Sequence, residues 1–250
     1  MSGSAPIAAL PMYEFPEIAA ANDALWSGIA LRLRARGVPA PAGLARGADV
    51  ARLWRDPGLV FGHTCGYPYA KELSDAVVLI ATPEYCFPGC DGAAYRSFLI
   101  CRKHDPRRLD AFRGGVAAVN AWDSNSGMNL FRAAIAPHAD GRPFFASVIL
   151  TGSHQASLAA VAAGGADLAA VDCVTFALLQ RLRPALVERV TVHEGGQAIV
   201  GSVNAPTPGG GAANKTGEQP HALAYAPGVE TPRQIEAERP TVPSAGGARI

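Results

Sequence analysis

Three apolar, helix-forming runs in this sequence are each preceded by small hydrogen-bonding residues. Ser124, Asn125, Ser126 and Gly127 stand in AWDSNSGMNLF, Ser153 and His154 in TGSHQASL, and Asp172 in AVDCVTF. Amides in a first helical turn have no partner inside the helix, and the helix dipole adds partial positive charge there. Such an end holds a phosphate-like anion with backbone N–H groups and hydroxyls, without a lysine. His154 adds a ring nitrogen that donates to an anionic oxygen. The same residues also serve as plain N-caps, Ser124 or Ser126 for one helix and Asp172 for another. Pattern alone leaves both readings open. Asp123 and Asp172 repel a bare anion, so a ligand beside them carries a positive group, with Asp172 pairing to its ammonium. Tyr13, Tyr67 and Tyr95 stand in or beside loops, where each offers a hydroxyl to a ligand or packs.

Other chemistries have weaker support. Cys86 and Cys90, with Cys101 and His104, form a loose zinc-like set whose spacing matches no recognised pair of knuckles. Scattered thiols are the expectation, and no metal or cofactor is expected. Cys65 beside His63 suggests a thiol nucleophile, yet it needs a base and an orienting group that sequence cannot place. GGGAANKT imitates a phosphate loop, but Asn214 stands where glycine must precede Lys215.

The elements that must position these residues alternate strand and helix. Pro6–Leu10 is a short apolar run. Ile18, Ala21, Leu25, Ile29 and Leu33 recur at helical spacing, predicting a helix from Glu17 to about Arg36. Leu59–Phe61 and Val77–Ala81 read as strands. Then come strand Val116–Asn120 and helix Met128–Ile135, strand Phe145–Thr151 and helix His154–Ala163, strand Leu168–Val171 and helix Val174–Leu182. Three such units imply a parallel sheet with right-handed crossovers, whose ligands sit beyond the carboxyl ends of its strands.

The 250 residues carry a formal charge of +1, with no concentrated Lys or Arg face, so the footprint of a nucleic-acid binder is missing. No apolar run reaches the roughly 18–20 residues that cross a bilayer. MSGSAPIAALPMYEF has neither a basic n-region nor a long apolar h-region. The chain as written is expected in the cytoplasm, and in the periplasm if the true start lies upstream. Five cysteines in an irregular, odd set fit reduced thiols rather than a disulfide framework.

AAVNAWDSNSGMNLFRAAI, followed by VILTGSHQASLAAVAAGGADLAAVDCVTFALL, resembles the substrate-binding proteins of phosphate, phosphite and phosphonate ABC transporters. The resemblance runs from Ala8 to Val192. It implies a type II periplasmic-binding-protein fold: two α/β lobes of mostly parallel sheets with flanking helices, and a ligand between them. By the same resemblance, Ser124, Asn125, Ser126 and Gly127 cradle a phosphonate or phosphate ester, and Ser153 and His154 complete the cradle. Asp172 meets the ligand's amine or hydroxyl end, while Tyr67 in TCGYP and Tyr95 in AAYRSF are looser matches. The implied partners are the small oxyanion and an ABC-transporter permease, and no catalysis is expected.

The sequence departs from that family in three ways, the first being that the family is usually exported while no signal is read in MSGSAPIAALPMYEF. Asn125 replaces a Ser or Thr of the pattern. Residues 195–250, rich in Gly, Pro, Ala and Thr, offer little for the return to the first lobe and read as a disordered or aberrant tail. Lobe one is expected over residues 5–91, with any return segment after 187, and lobe two over 92–186. The first lobe is therefore expected to be incomplete, through truncation or a shifted reading frame. Enzymes of thiamine-precursor synthesis share the fold, and Cys65, His63 and His154 are the residues of that alternative. A non-functional gene product is a third reading.

Overall fold

Apolar runs too short for helices and too rich in Ala and Val for loops supply the strands of the main sheet. A computed structural model describes residues 4–193 and 199–201, which fall into two compact units, 1–79 and 80–250.

In the first unit, strand β1 (Ile7–Ala9) leads through a single 3-10 turn into helix α1 (Ala19–Arg34). Helix α2 (Val50–Leu53) follows, capped by the Asp49 carboxylate accepting from the Arg52 N–H at 2.8 Å. Strand β2 (Leu59–Gly62) then pairs parallel with β1. Helix α3 (Gly66–Pro68) continues as a π-helical turn, Tyr69–Leu73. The small core gathers Ala8, Trp26 and Ala30, with Ile29, Leu33, Leu44 and Phe61 against them. Helix α1 thus buries a face that differs in phase from the expected stripe, since Ala21 and Leu25 of that stripe face solvent. Burying the indole of Trp26 removes more apolar area from water than burying Leu25 would, so it sets the rotation of the helix.

Val77–Ala81, expected as a strand, is not one. Val78 is 86% and Ile80 71% exposed, although the segment keeps a strand-like alternation. Residue type favours a strand here, but among the described residues no second strand supplies a hydrogen-bond ladder.

In the second unit, strand β3 (Tyr95–Arg102) precedes the alternating region. Strand β4 (Val116–Val119), helix α4 (Leu130–Ile135), strand β5 (Ser147–Leu150), helix α5 (His154–Ala163), strand β6 (Leu168–Asp172) and helix α6 (Cys173–Leu182) follow. Helix α7 (Pro184–Val187) and strands β7 (Val190–Val192) and β8 (Ile199–Gly201) come last. The strand order is β5-β4-β6-β3-β7, with β8 also on β3. Strands β5, β4 and β6 are mutually parallel, while β3 runs antiparallel to β6, β7 and β8. Ile100 pairs with both Ala169 and Val192, and Ser97 with both Asp172 and Ile199, so β7 and β8 share one edge of β3.

The crossover β4–α4–β5 moves one way along the sheet, and β5–α5–β6 moves back past β4. Right-handed crossovers therefore put α4 and α5 on opposite faces. One face packs Leu99, Ala117, Val119, Leu168 and Ala170 against Met128, Phe131 and Ile135, with Phe144 and Phe145 edge-on at 4.9 Å. The alternate residues Ile100, Ala118, Ala169 and Val171, all at 0% exposure, point to the other face. This both-faces burial is why β4 and β6 read as continuous apolar runs. Strands β7 and β8 were not anticipated. Ile199–Gly201 lies inside the stretch expected to be tail, and the phosphate-loop imitation at Gly209–Thr216 lies outside the described residues.

Candidate functional site

Strand order β5-β4-β6 puts β4 between two strands whose following helices lie on the face opposite its own. Chain segments leaving such neighbours diverge, and the gap at their carboxyl ends is where open α/β sheets hold ligands. The polar stretches singled out in the sequence stand there. Ser124 to Gly127 follows β4, Ser153 and His154 follow β5, and Asp172 closes β6.

The structure makes caps of three of these residues. Ser124 Oγ accepts from the Gly127 N–H at 3.0 Å, Ser153 Oγ from Ala156 N–H at 3.1 Å, and Asp172 Oδ1 from Thr175 N–H at 2.8 Å. Each cap satisfies one first-turn amide and leaves others to a ligand. Helix α4 is preceded by a π-helical turn, Asn125–Asn129, in which Met128 and Asn129 both donate to the Ser124 carbonyl. Among the described residues, the amides of Asn125 and Ser126 have no partner. Those two residues are 2% and 5% exposed.

Three side chains from the three strand ends meet. The Ser126 hydroxyl lies 2.8 Å from His154 Nε2, and Asp172 Oδ2 lies 3.5 Å from the same nitrogen. His154 Nδ1 stands 3.2 Å from the Ala170 carbonyl. A carbonyl only accepts, so Nδ1 carries the imidazole proton and Nε2 accepts from Ser126. Burial pushes the His154 imidazole below its ordinary value of 6.5, opposed by the Asp172 charge and the bond to Ala170.

Gly127 sits against this cluster. A Cβ there would lie 1.7 Å from Asn120 Oδ1 and 2.8 Å from both Asn120 Cγ and His154 Cε1. Only a residue with no side chain lets the amide of Asn120 and the ring of His154 approach the turn together. Asn120 was not among the expected site residues, nor was Ser97, whose backbone pairs with Asp172. Among the described residues, Asn120 Oδ1, Asn125 Oδ1 and Ser97 Oγ are buried with no hydrogen-bond partner. Position was the available signal: Asn120 is the first polar residue after an apolar strand.

The remaining candidates are placed as follows. Tyr95 opens β3, half-buried, opposite Gly201 in register. Asp123 is exposed and does not join the cluster. Tyr13 and Tyr67 belong to the first unit, where Tyr67 is buried in α3 and Tyr13 meets the His63 ring edge-on at 6.0 Å. Burial lowers the His63 pKa from 6.5. Cys65 is half-buried in that unit. Among the described residues, no group of His, Cys, Asp and Glu is arranged to hold a metal ion.

The fold is of the periplasmic-binding-protein-like α/β class. Residues 49–207 match the family of periplasmic substrate-binding proteins of phosphonate ABC transporters, and the chain belongs to that family. Among solved structures, a Xanthomonas citri protein bound to chloride ion has 16% identity and a TM-score of 0.55, over 76% of this chain and 73% of that one. Its ATP-bound structure has a TM-score of 0.52 at 16% identity, over 76% and 72%. A binding protein component of a Pseudomonas aeruginosa ABC phosphonate transporter has 17% identity and a TM-score of 0.55, over 76% of this chain and 65% of that one. At these identities the likeness is one of fold. No curated protein matches the chain by sequence. No described helix is long and apolar enough to cross a membrane.

Proposed function

We propose that the chain binds a small oxyanion, a phosphonate or phosphate ester, at the carboxyl ends of β4, β5 and β6, and delivers it to an ABC permease in the periplasm. The observation that carries this reading is the meeting of Ser126, His154 and Asp172, residues far apart in sequence, at one point. The partnerless amides of Asn125 and Ser126 face the anion, with the Ser124 and Ser126 hydroxyls beside them. His154 contributes a donor once protonated. Asp172, 3% exposed, supplies the negative charge for an ammonium or hydroxyl at the other end of the ligand.

The geometry favours binding over catalysis. A serine next to a histidine base is the start of a nucleophilic site, but the base must be oriented by a carboxylate on its far nitrogen. Here Nδ1 goes to a backbone carbonyl, and the carboxylate lies on the Nε2 side.

Thermal unfolding with phosphate, phosphite, alkylphosphonates, aminoalkylphosphonates and sulfonates tests the reading. A ligand at ~100 times its Kd stabilises by about 2.7 kcal/mol. Ser126→Ala should weaken that shift and Ser126→Asp should abolish it, with folding of each variant checked by circular dichroism. A phosphonate-induced shift that survives in a folded Ser126→Asp protein would remove the site.

A further inference from the structure

Cys90 and Cys173 belong to the five cysteines read from sequence as reduced thiols, and the fold brings their sulfurs to 3.5 Å. Cys173 is fully buried at the first position of α6, directly after Asp172, while Cys90 is half-buried. Cys90 is held in place by its loop: its N–H donates to the Phe87 carbonyl at 3.0 Å, and Asp91 bridges to Ala94. Gly89, at φ +94°, is what lets the loop come so near. A Cβ on it would stand 2.8 Å from Cys173 Cβ and 3.2 Å from its sulfur.

We propose that Cys90 and Cys173 are a reversible oxidation site, closed to a disulfide by hydrogen peroxide and reopened by a dithiol. The reaction begins at Cys90, the accessible partner. Its thiolate attacks one peroxide oxygen, forming an S–O bond, breaking O–O and releasing hydroxide. The Cys173 sulfur then attacks the resulting sulfenic acid, so that S–S forms and S–O breaks. The departing hydroxide takes the Cys173 proton and leaves as water. In sum two thiols and one peroxide become one disulfide and two waters, each sulfur losing one electron and the peroxide gaining two. The sulfurs must close from 3.5 Å to the ~2.05 Å of the bond. Burial pushes the Cys173 thiol up to about 12, so it resolves rather than initiates.

The bond ties a loop to the residue after the site's carboxylate. That loop also carries Tyr85, whose phenol is pushed up to about 12 by burial and by the Asp172 charge. The stacked rings of Tyr85 and Phe87 stand 6.4 Å apart. Oxidation therefore fastens the Tyr85 loop to the start of α6 whatever the strand ends bind.

The test is thiol counting on the unfolded full chain, before and after hydrogen peroxide, with peptide mapping by mass spectrometry. The expected result is loss of two of the five thiols, recovered by dithiothreitol, and a Cys90–Cys173 cross-linked peptide. Cys90→Ser should keep all its thiols. Cys173→Ser should leave a sulfenic acid at Cys90 that dimedone traps. A Cys86–Cys90 cross-link, a disulfide between two chains, or over-oxidised Cys90 with no cross-link would each overturn the proposal.

Discussion

Gly127→Ala is the sharpest test of how the strand-end cluster is built. The added methyl would lie 1.7 Å from Asn120 Oδ1 and 2.8 Å from His154 Cε1, both far inside contact distance. The Asn120 amide is the end of a short side chain and can swing away. The His154 ring cannot move without breaking the bond to Ser126 at 2.8 Å or that to Ala170 at 3.2 Å. Overpacking of this kind costs about 1–3 kcal/mol. For a unit of this size that lowers Tm by about 2–4 °C per kcal/mol, or by about 2–12 °C in all. Thermal melts by circular dichroism read the loss, and the imidazole nitrogen shifts in NMR report whether Nε2 still accepts from Ser126. Asn120→Ala/Gly127→Ala should regain part of the stability, because it removes the nearest clash while Oδ1 gives up no hydrogen bond. A Gly127→Ala protein melting within 1 °C of the parent would refute the reasoning, and so would a double variant no more stable than the single one.

Four further outcomes follow from the same structure. His154 has a folded-state pKa below 6.5, so the unfolded chain binds more protons as pH falls. Stability is then complete above pH 6.5 and lost below it, and His154→Gln should flatten that loss in urea titrations run across pH. Anion binding should run the other way: a proton on Nε2 gives a donor and frees the Ser126 hydroxyl. Calorimetry in buffers of different ionisation enthalpy should therefore show proton uptake, and a heat independent of buffer would contradict this. Arg107 binds Asp105 at 2.6 Å and Asp167 at 2.8 Å, and Asp167 accepts from Val116 N–H at 2.8 Å where β4 begins. Arg107→Met should cost about 2–3 kcal/mol. The Arg107 guanidinium holds the Asp105 carboxyl below 3.8, so this contribution is present above that pH and fades as pH falls below it. A denaturant midpoint unchanged by Arg107→Met at neutral pH would contradict the assignment. Val78→Thr and Ile80→Thr, at exposed positions, should each change stability by less than about 0.5 kcal/mol. Larger losses in denaturant melts would mean that those side chains are packed.

Local signals made much of the second unit legible. Ser153 ahead of an apolar run and Gly164 behind it bound α5 at His154–Ala163, as expected. The apolar VAAV and LAAV runs make β4 and all but the last residue of β6, because strands covered on both faces need no polar alternation. Legibility ended where a strand depends on its neighbour. Val77–Ala81 has strand composition and no ladder, whereas Val190–Val192 and Ile199–Gly201 become strands because β3 offers them an edge. The α1 stripe failed for a related reason. Periodicity shows that a helix has an apolar face, but Trp26 and Phe61, with ring centroids 5.9 Å apart, choose which face turns inward.

By itself, the sequence determined the alternation of strands and helices and the residue types able to begin each helix, since capping and periodicity act over three or four residues. Which of those beginnings share a point in space was decided by strand order, through contacts as distant as Ser126 with His154 and Cys90 with Cys173. Such contacts depend on which edges pair and to which face each crossover turns, and no stretch of neighbouring residues carries that information.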